Sequence, residues 1–435
     1  MKVMKFGGTS VGSPQRMKNV ASLIQGTDGD VVVLSAMSGT TNTLVEISGY
    51  LYNRNPEGAL DTIARLEQKY IGHVAELYAT EEYRTLASDY LREVFALLAS
   101  FSKQLFGPAE EKMVLAQGEL LSTHMVYWYL LEQGVDAVLL PALDFMRLDT
   151  QGEPDQEYIR THLRPLLDAH PAALYVTQGF ICRNCHGEVD NLQRGGSDYT
   201  ASLIGAALQA SEIQIWTDID GMHNNDPRIV EGTTAVRHLH FEEAAELGYF
   251  GAKILHPTCI QPAKFANVPV RLLNTLEPDA PGTTIDNRPD PFTIKAVAAK
   301  DNITAIKIKS SRMLLAHGFL RKVFEIFESY KTSIDMICTS EVGVSMSIDD
   351  TRHLGEIVHD LKKYGTVSVD LDMCIVCVVG DMDWENLGFE SRAMRAMKDI
   401  PVRMVSYGGS NYNISFLIRE EDKTRALRAL SAELF

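Results

Sequence analysis

Short apolar runs alternate with helical stretches over roughly the first 275 residues of the chain. The clearest runs lie at 3–6, 31–34, 173–176, 213–216 and 270–273, and each is followed by glycine, serine, threonine or asparagine. Strand-length runs separated by helices predict an α/β fold with a mainly parallel sheet covered by helices. Ligands of such sheets bind beyond the carboxyl ends of the strands, so we expect the functional residues to follow these runs.

Residues 44–131 form the longest interruption of this alternation. Apolar residues recur there at spacings of three and four, as in Leu91, Val94, Phe95 and Leu98. This spacing places them on one face of a helix. The segment therefore predicts a helical excursion from the sheet.

Residues 277–291 contain four prolines, Gly282 and several acidic side chains. Proline and glycine at this density are typical of a linker or a domain boundary. The sequence therefore predicts a first domain at 1–276, a linker at 277–293 and a C-terminal region at 294–435.

The C-terminal region contains an internal repeat. Sliding the chain by 68 positions aligns 333–337 with 401–405 and 345–348 with 413–416. Each copy reads strand, helix, strand, strand, helix, strand, which predicts two βαββαβ units. Units this small do not bury both faces of their sheets alone, so we expect them to pair with each other and with a second chain.

Composition narrows the class of protein. With 435 residues, 45% of them hydrophobic and 23% charged, the chain is typical of a folded protein of two or three domains. The formal net charge of −16 disfavours nucleic-acid binding. No apolar stretch reaches the length of a signal peptide or a membrane span, so we expect a cytoplasmic protein without membrane association.

The six cysteines are expected to be reduced thiols. Cys182 and Cys185 precede a histidine at a spacing used for haem attachment or half a zinc site, but haem attachment of this kind requires export. Cys374 and Cys377 lie three apart in an apolar run and point to opposite faces of a strand. We therefore predict no metal site formed by these cysteines, and the sequence assigns no residue as a metal ligand.

Two glycine-rich turns follow predicted strands and carry a cation. Lys5 precedes Gly7 and Gly8, and Arg194 precedes a second glycine pair at 195–196. Glycines allow backbone amides to approach an anion, and a following helix adds positive potential. Either turn alone also fits an ordinary glycine turn, and neither has the spacing of a Walker A loop. Together they suit a polyphosphate whose charge must be neutralised during phosphoryl transfer.

A third polar loop, at 216–228, could supply hydrogen bonds to a nucleotide, and Lys253 could touch its phosphates. Both also fit surface residues. The chain has no HRD or DFG motif of a protein kinase.

The motifs at 5–10, 35–42, 117–122, 177–181, 194–200, 216–228 and 250–257 resemble, in order, those of the aspartate kinases of the amino-acid kinase superfamily. The linker and repeat resemble the two ACT modules, of ferredoxin-like fold, that follow the catalytic domain in this family. The resemblance implies transfer of a phosphoryl group from ATP, with Mg²⁺, to L-aspartate, giving 4-phospho-L-aspartate. This is the first step towards lysine, threonine and methionine.

The resemblance also implies residue roles. Lys5, Asp198 and Lys253 would be catalytic, with Lys5 at the transferring phosphate and Asp198 organising the lysines. Arg194 would clamp the α-carboxylate of aspartate and Glu119 would attract its ammonium. The remaining substrate residues would be Ser35, Thr41, Phe180 and Ser197. The nucleotide site would comprise Lys5, Gly7, Gly8, Thr217, Asp218, Met222, His223, Arg228 and Lys253. His223 replaces a common tyrosine, and Gln193 replaces a glycine that often precedes the catalytic arginine.

In the regulatory region the resemblance is to lysine-inhibited members. The implied effector residues are Met313, Gly318, Phe319, Leu320, Ser333, Ile334, Asp335, Thr339, Ser340 and Glu341. Asp335 and Glu341 would suit a cationic ligand, so lysine is the first candidate and threonine the second. Ala316 stands where a serine is frequent. A homodimer formed through the ACT modules is expected, with a tetramer left open.

Two other functions fit part of the sequence. A relative in the same superfamily would phosphorylate another small acid, such as glutamate or a carbamate, but the motifs at 117–122 and 194–200 favour aspartate. A catalytically dead amino-acid sensor would not need the catalytic and substrate-binding residues that this chain retains, which are Lys5, Glu119, Arg194, Asp198 and Lys253.

Overall fold

The computed structural model describes residues 1–26, 29–192, 195–251, 255–291, 293–310 and 317–435. The described residues fall into two compact units. The first comprises 1–222 and 255–287, and the second comprises 223–251 and 288–435. The segment 223–251 therefore groups with the C-terminal region, while the predicted domain bounds at 276 and 294 stay a prediction.

Strands and helices follow one another throughout both units. In chain order, the strands in the described part of the chain are β1 (Val3–Phe6), β2 (Asp30–Leu34), β3 (Ala137–Leu140), β4 (Leu174–Gln178), β5 (Ile181–Arg183), β6 (Val189–Asn191), β7 (Ile213–Thr217), β8 (Met222–His223), β9 (Ala235–Val236), β10 (His238–His240), β11 (Val270–Asn274), β12 (Thr283–Asp286), β13 (Ile294–Lys309), β14 (Ile337–Ser340), β15 (Gly343–Ile348), β16 (Thr366–Gly380), β17 (Met404–Tyr407) and β18 (Asn413–Arg419). The α-helices there are α1 (Pro14–Ile24), α2 (Thr40–Tyr52), α3 (Pro56–Leu77), α4 (Glu81–Ser100), α5 (Pro108–Glu132), α6 (Gln156–Ala169), α7 (Gly196–Leu208), α8 (Phe241–Tyr249), α9 (Pro257–Ala266), α10 (Phe319–Ser329), α11 (Leu354–Leu361), α12 (Phe389–Ala396) and α13 (Lys423–Leu434).

The sheet of the first unit has the strand order β12-β11-β7-β1-β2-β4-β3. Its neighbours pair in parallel except β11 with β12. The residues of β1 and β2 are buried throughout, as expected for strands with both faces covered. The predicted mainly parallel sheet is confirmed.

The strand order places β1 between β2 and β7. The chain adds β2, β3 and β4 on one side of β1 and then adds β7 on the other side, so the strand order reverses at β1. Such a switch point leaves a crevice at the carboxyl ends of the strands. Phe6 and Trp216, the partners at that end of β1 and β7, stack with ring centroids 5.7 Å apart. The loops that begin at Gly7, Ser35 and Asp218 therefore lie side by side at the same edge of the sheet.

The predicted helical excursion is confirmed as α2 to α5. Its helices bury Tyr70 and Tyr78 fully in the same apolar cluster as β1 and β2. Helix α5 buries residues around much of its circumference, including Glu119 and Ser122. A helix buried in this way can bring polar side chains to an interior site.

The second unit has a sheet of order β14-β15-β13-β16-β18-β17. Its long strands β13 and β16 pair from Ile294 opposite Gly380 to Lys309 opposite Thr366. Two single-residue shifts in register, between Lys300 and Ile303 and between Ile303 and Ala305, divide β13 into two halves. The first half pairs with the end of β16 and the second half with its beginning. The two repeat units share these strands, so the predicted pairing of the repeats is present within one chain.

The second repeat is completed differently from the sequence-based prediction. The repeat pattern predicted the last strand of this repeat after its second helix, α13. The first half of β13, which precedes the first repeat in the chain, pairs with β16 beside β18 and completes the second repeat instead. The repeat pattern could not reveal this, because the completing strand lies before both copies.

Candidate active site

Lys5 and Asp198 form an ion pair at the switch point of the first sheet. Lys5 lies near the end of β1, and Asp198 lies in the first turn of α7. Lys5 Nζ is 2.7 Å from Asp198 Oδ1, and the two side chains are 11% and 17% exposed. A pair this sheltered from water is held more firmly than a surface pair. The ammonium of Lys5 is therefore fixed in position.

The loop after β1 approaches the loop after β2 closely. A Cβ on Gly8 would lie 2.8 Å from the carbonyl oxygen of Ala36, and the Ser38 amide donates to the Gly8 carbonyl at 3.1 Å. A Cβ on Gly7 would lie 3.5 Å from Lys5 Nζ. Glycine at position 8 is therefore required by the packing of the two loops.

Glu119 is a buried carboxylate beside these loops. Its residue is 5% exposed, and its Oε2 has no hydrogen-bond partner in the described part of the chain. Burial raises the pKa of the Glu119 carboxyl to about 7, against the lowering effects of backbone hydrogen bonds from Ala36 and of the Lys5 ammonium. A buried carboxylate oxygen without a partner favours a cationic ligand.

Helix α5 presents Glu119 because it packs directly on the loop after β2. A Cβ on Gly118 would lie 2.9 Å from the Ala36 Cβ, and the Ser122 hydroxyl donates to the Ser35 carbonyl at 2.7 Å. The glycine therefore allows the helix backbone to come close to the sheet edge.

The other predicted substrate residues are distributed over the strand exits. Ser35 is half-buried, and its amide donates to the Phe6 carbonyl at 3.2 Å, while Thr41 is exposed at the start of α2. Phe180 has a φ of 66° and follows β4. A Cβ on Gly179 would lie 2.3 Å from the Cβ of the buried Ser197, so this exit is packed against the first turn of α7.

The predicted nucleotide residues divide between the two units. Thr217 is half-buried at the end of β7 and Asp218 is exposed. Met222 is 1% exposed, and its amide donates to Thr283 Oγ1 at 2.8 Å. In the second unit, His223 Nδ1 lies 3.0 Å from Thr233 Oγ1, and the exposed Arg228 pairs with Asp226 at 2.7 Å.

Several predicted positions lie outside the described residues. They are Arg194 and Lys253 of the active site, Met313 of the effector site, and the departures at Gln193 and Ala316. The predicted meeting of Lys5 with Arg194 above the sheet therefore stays a prediction.

The predicted effector residues lie in the first repeat. Gly318 is the N-cap of α10 with a φ of 81°, Phe319 is buried and Leu320 is 38% exposed. Ser333 and Ile334 precede Asp335, whose side chain is fully buried. Thr339 and Ser340 are exposed on β14, and Glu341 follows them on the surface.

The cysteines are free thiols in the structure. Cys182, Cys374 and Cys377 are buried, and Cys185 is exposed. Among the described residues there is no cluster of three or more histidine, cysteine or acidic side chains suited to a metal ion. The helices in that part of the chain include none that is long and apolar enough to cross a membrane.

Helix α3 contributes two contacts that the motifs did not indicate. The Tyr70 hydroxyl is fully buried and lies 2.9 Å from Thr40 Oγ1, and Lys69 Nζ donates to the Ser38 carbonyl at 3.2 Å. They hold the segment that leads from Ser35 to Thr41. Helical periodicity assigns Tyr70 to the core, and no sequence signal distinguishes its hydroxyl from that of another buried tyrosine.

We expect Tyr70→Phe to raise the KM for the amino-acid substrate that the sequence resemblance implies by roughly two- to tenfold. The substitution removes one buried hydrogen bond and leaves the Thr40 hydroxyl unpaired. Steady-state kinetics will measure the change. Tyr78→Phe is the matched control, since its buried hydroxyl donates to the Met125 carbonyl at 2.8 Å. Equal changes in KM in both variants would contradict a positioning role for Tyr70.

Comparison with known proteins identifies the family. Residues 1–274 match the amino acid kinase family, and residues 376–434 match an ACT domain. The chain is 36% identical to aspartokinase 1, chloroplastic, of Arabidopsis thaliana over 100% of its own length and 80% of that protein. It is 32% identical to lysine-sensitive aspartokinase 3 of Escherichia coli (strain K12), with 100% and 99% of the two chains covered.

Solved structures agree with this result. The crystal structure of E. coli aspartokinase III in complex with aspartate and ADP has a TM-score of 0.87 and 31% identity, with 100% of both chains covered. The complex of that enzyme with lysine and aspartate has a TM-score of 0.81 and 31% identity, with 100% of this chain and 99% of that chain covered. The chain therefore belongs to the amino acid kinase family and, within it, to the aspartokinases.

Proposed function

We propose that the chain transfers the γ-phosphoryl group of ATP to the side-chain carboxylate of L-aspartate, giving ADP and 4-phospho-L-aspartate. The observation that carries the proposal is the buried Glu119 carboxylate, whose Oε2 has no hydrogen-bond partner among the described residues. A cation-binding group beside a lysine and a glycine-rich loop suits a substrate that has both an ammonium and an anionic acceptor.

The chemistry requires charge neutralisation rather than a general base. The acceptor carboxylate has an ordinary pKa of about 3.9 and is ionised at neutral pH. The barrier arises from bringing this anion against a phosphate. In the proposal, the Lys5 ammonium and the Gly8 amide supply positive potential there. The Gly7 amide already donates to the Trp216 carbonyl at 3.3 Å. Asp198 keeps Lys5 in place, since the pair is largely shielded from water.

The substrate would be held by its charged ends. Glu119 takes the ammonium and Arg194 takes the α-carboxylate, while Ser35, Thr41, Phe180 and Ser197 shape the space between them. The support is that the described members of this set follow β2 and β4 or lie in α2, α5 and α7. The residues proposed for the nucleotide are Thr217, Asp218, Met222, His223, Arg228 and Lys253.

Mg²⁺ is the proposed partner of ATP. Nucleotide-bound Mg²⁺ is held mostly by phosphate oxygens and water, with one or two protein carboxylates. Asp198 suits such a role because its side chain, beside Lys5, keeps 17% exposure. The ion would neutralise charge on the transferring phosphate.

We also propose feedback inhibition by an end-product amino acid, with lysine first and threonine second. The structure of E. coli aspartokinase III with lysine and aspartate supports this order. The product would enter the route to lysine, threonine and methionine in the cytoplasm. Homodimerisation through the ACT modules is supported by β14, which ends the strand order of its sheet and carries the exposed Ile337. Sedimentation velocity will test the dimer.

Trapping the acyl phosphate with hydroxylamine tests the proposed reaction. Purified chain, ATP and Mg²⁺ would be incubated with L-aspartate, L-glutamate or succinate, and the hydroxamate measured. We expect product with L-aspartate, and little with succinate because it lacks the ammonium for Glu119. A preference for glutamate would indicate another kinase of the family, and no product with any acid would indicate a sensor. Adding lysine, threonine or methionine identifies the effector.

A further inference from the structure

Asp335, Lys300 and Asp349 form an ion-pair network in the second unit, in which the Asp335 side chain is fully buried. This side chain is 0% exposed, and its Oδ1 accepts from Lys300 Nζ at 2.8 Å and from the Tyr249 hydroxyl at 2.7 Å. Its Oδ2 has no hydrogen-bond partner within the described ranges. Burial raises the pKa of the Asp335 carboxyl, although Lys300 and Tyr249 act to lower it. One oxygen of this buried carboxylate is therefore suited to a further cation.

Lys300 is shared between two carboxylates. Its Nζ lies 2.8 Å from Asp335 Oδ1 and also 2.8 Å from Asp349 Oδ2, which is on a side chain with 42% exposure. Two ammonium groups on one buried carboxylate repel each other. A second cation at Asp335 Oδ2 would therefore move Lys300 towards Asp349, where a partner already exists.

Lys300 also contacts the segment that leads to Lys253. Its Nζ lies 4.4 Å from the centroid of the Tyr249 ring at the end of α8. A Cβ on Gly251, which has a φ of 118°, would lie 2.1 Å from the carbonyl oxygen of Ala299. Residues 249–251 are thus anchored on β13 by an ion-pair network and by a close backbone approach.

We propose that Lys300 competes with a cationic amino-acid effector for Asp335. Displacement of Lys300 then weakens the contacts that hold Tyr249, and this loss of contacts couples effector binding to the position of the segment before Lys253. The inference rests on the proposed effector site. It adds Lys300 as the group that competes with the effector, and Tyr249 as the contact that links the effector site to residues 249–251. Lys300 and Tyr249 act as positioning residues, because neither needs to touch a substrate. The chemical class recognised is a primary ammonium.

The test uses the full chain and lysine as the probe, with binding measured by calorimetry and inhibition by initial rates at pH 8. Lys300→Met removes the competitor, so we expect the Kd for lysine to fall roughly fivefold or more while maximal inhibition decreases. Tyr249→Phe should leave the Kd within about twofold and also decrease inhibition. Asp335→Ala should lose both binding and inhibition.

Lys423→Met is the matched control, because Lys423 Nζ pairs with Asp301, next to Lys300, at 2.5 Å without being part of the Asp335 network. Lys423→Met should change neither the Kd for lysine nor the maximal inhibition. Weaker lysine binding in Lys300→Met, or unchanged binding with full inhibition, would overturn the proposal. Absence of lysine binding to the unaltered chain would instead overturn the proposed effector, and the competition with it.

Discussion

Lys5→Met is expected to lower kcat at least about a hundredfold while the chain stays folded, a magnitude typical of removing one key electrostatic group. Methionine keeps the apolar stem in the nearly buried position at β1 but removes the ammonium. The KM for L-aspartate should change much less, because Glu119 and Arg194 hold that substrate in the proposal. Steady-state kinetics and thermal unfolding measure the two properties separately.

The loss of the Lys5 ammonium leaves Asp198 without its ion-pair partner, which destabilises a sheltered site. The double variant Lys5→Met with Asp198→Asn restores neutrality, so it should recover stability without recovering activity. Lys2→Met, on an exposed lysine before the same strand, is the control and should be fully active. A kcat close to that of the unaltered chain in Lys5→Met would remove Lys5 from the mechanism.

Glu119→Gln is expected to raise the KM for L-aspartate about tenfold or more, with the KM for ATP little changed. A hydrogen bond to a charged group contributes about 1.5–3 kcal/mol, which corresponds to about ten- to a hundredfold in affinity. The variant keeps the shape of the side chain and removes its negative charge. Kinetics with each substrate varied in turn will separate the two constants.

The pH dependence gives this prediction a second readout. Because burial raises the pKa of Glu119 to about 7, the carboxyl is largely protonated below that pH in the free chain. The substrate ammonium requires the ionised form, so the KM for L-aspartate should fall as pH rises from 6 to 8. Glu119→Gln should lack this dependence. If the KM for L-aspartate depended on pH in the same way in the unaltered chain and in Glu119→Gln, another titrating group would be the cause.

The stability of the free chain should follow the opposite trend. A carboxyl whose pKa is raised on folding contributes stability that is present below its unfolded pKa of 4.5 and is lost as pH rises through about 7. Glu119→Gln should therefore be the more stable form at pH 8 in the absence of substrate.

The sequence predicted the parts of the fold that depend on local patterns. Apolar runs located β1, β2, β4, β7 and β11, and helical spacing located α2 to α5. The glycine pairs after β1 and at the start of α7 indicated an anion site, because strand exits in parallel sheets meet at one edge, and the family resemblance added Asp198. The structure brings Lys5 and Asp198 together there.

Contacts between distant residues could not be predicted in the same way. Tyr70 reaches Thr40 from a helix whose periodicity indicates only burial. Lys300 meets Asp335 because β13 runs through both repeats, and the repeat pattern does not include the first half of β13, where Lys300 lies. The segment 223–251 joins the second unit although it precedes the linker. Each of these three features depends on tertiary packing, for which the local sequence gives no signal.

A crystal structure of the chain with L-aspartate and a non-hydrolysable ATP analogue tests the central claim most directly. We predict the aspartate ammonium at Glu119 Oε2, with the side-chain carboxylate facing the γ-phosphate beside Lys5 Nζ. An aspartate bound away from Glu119, or a γ-phosphate out of reach of Lys5, would contradict this mechanism.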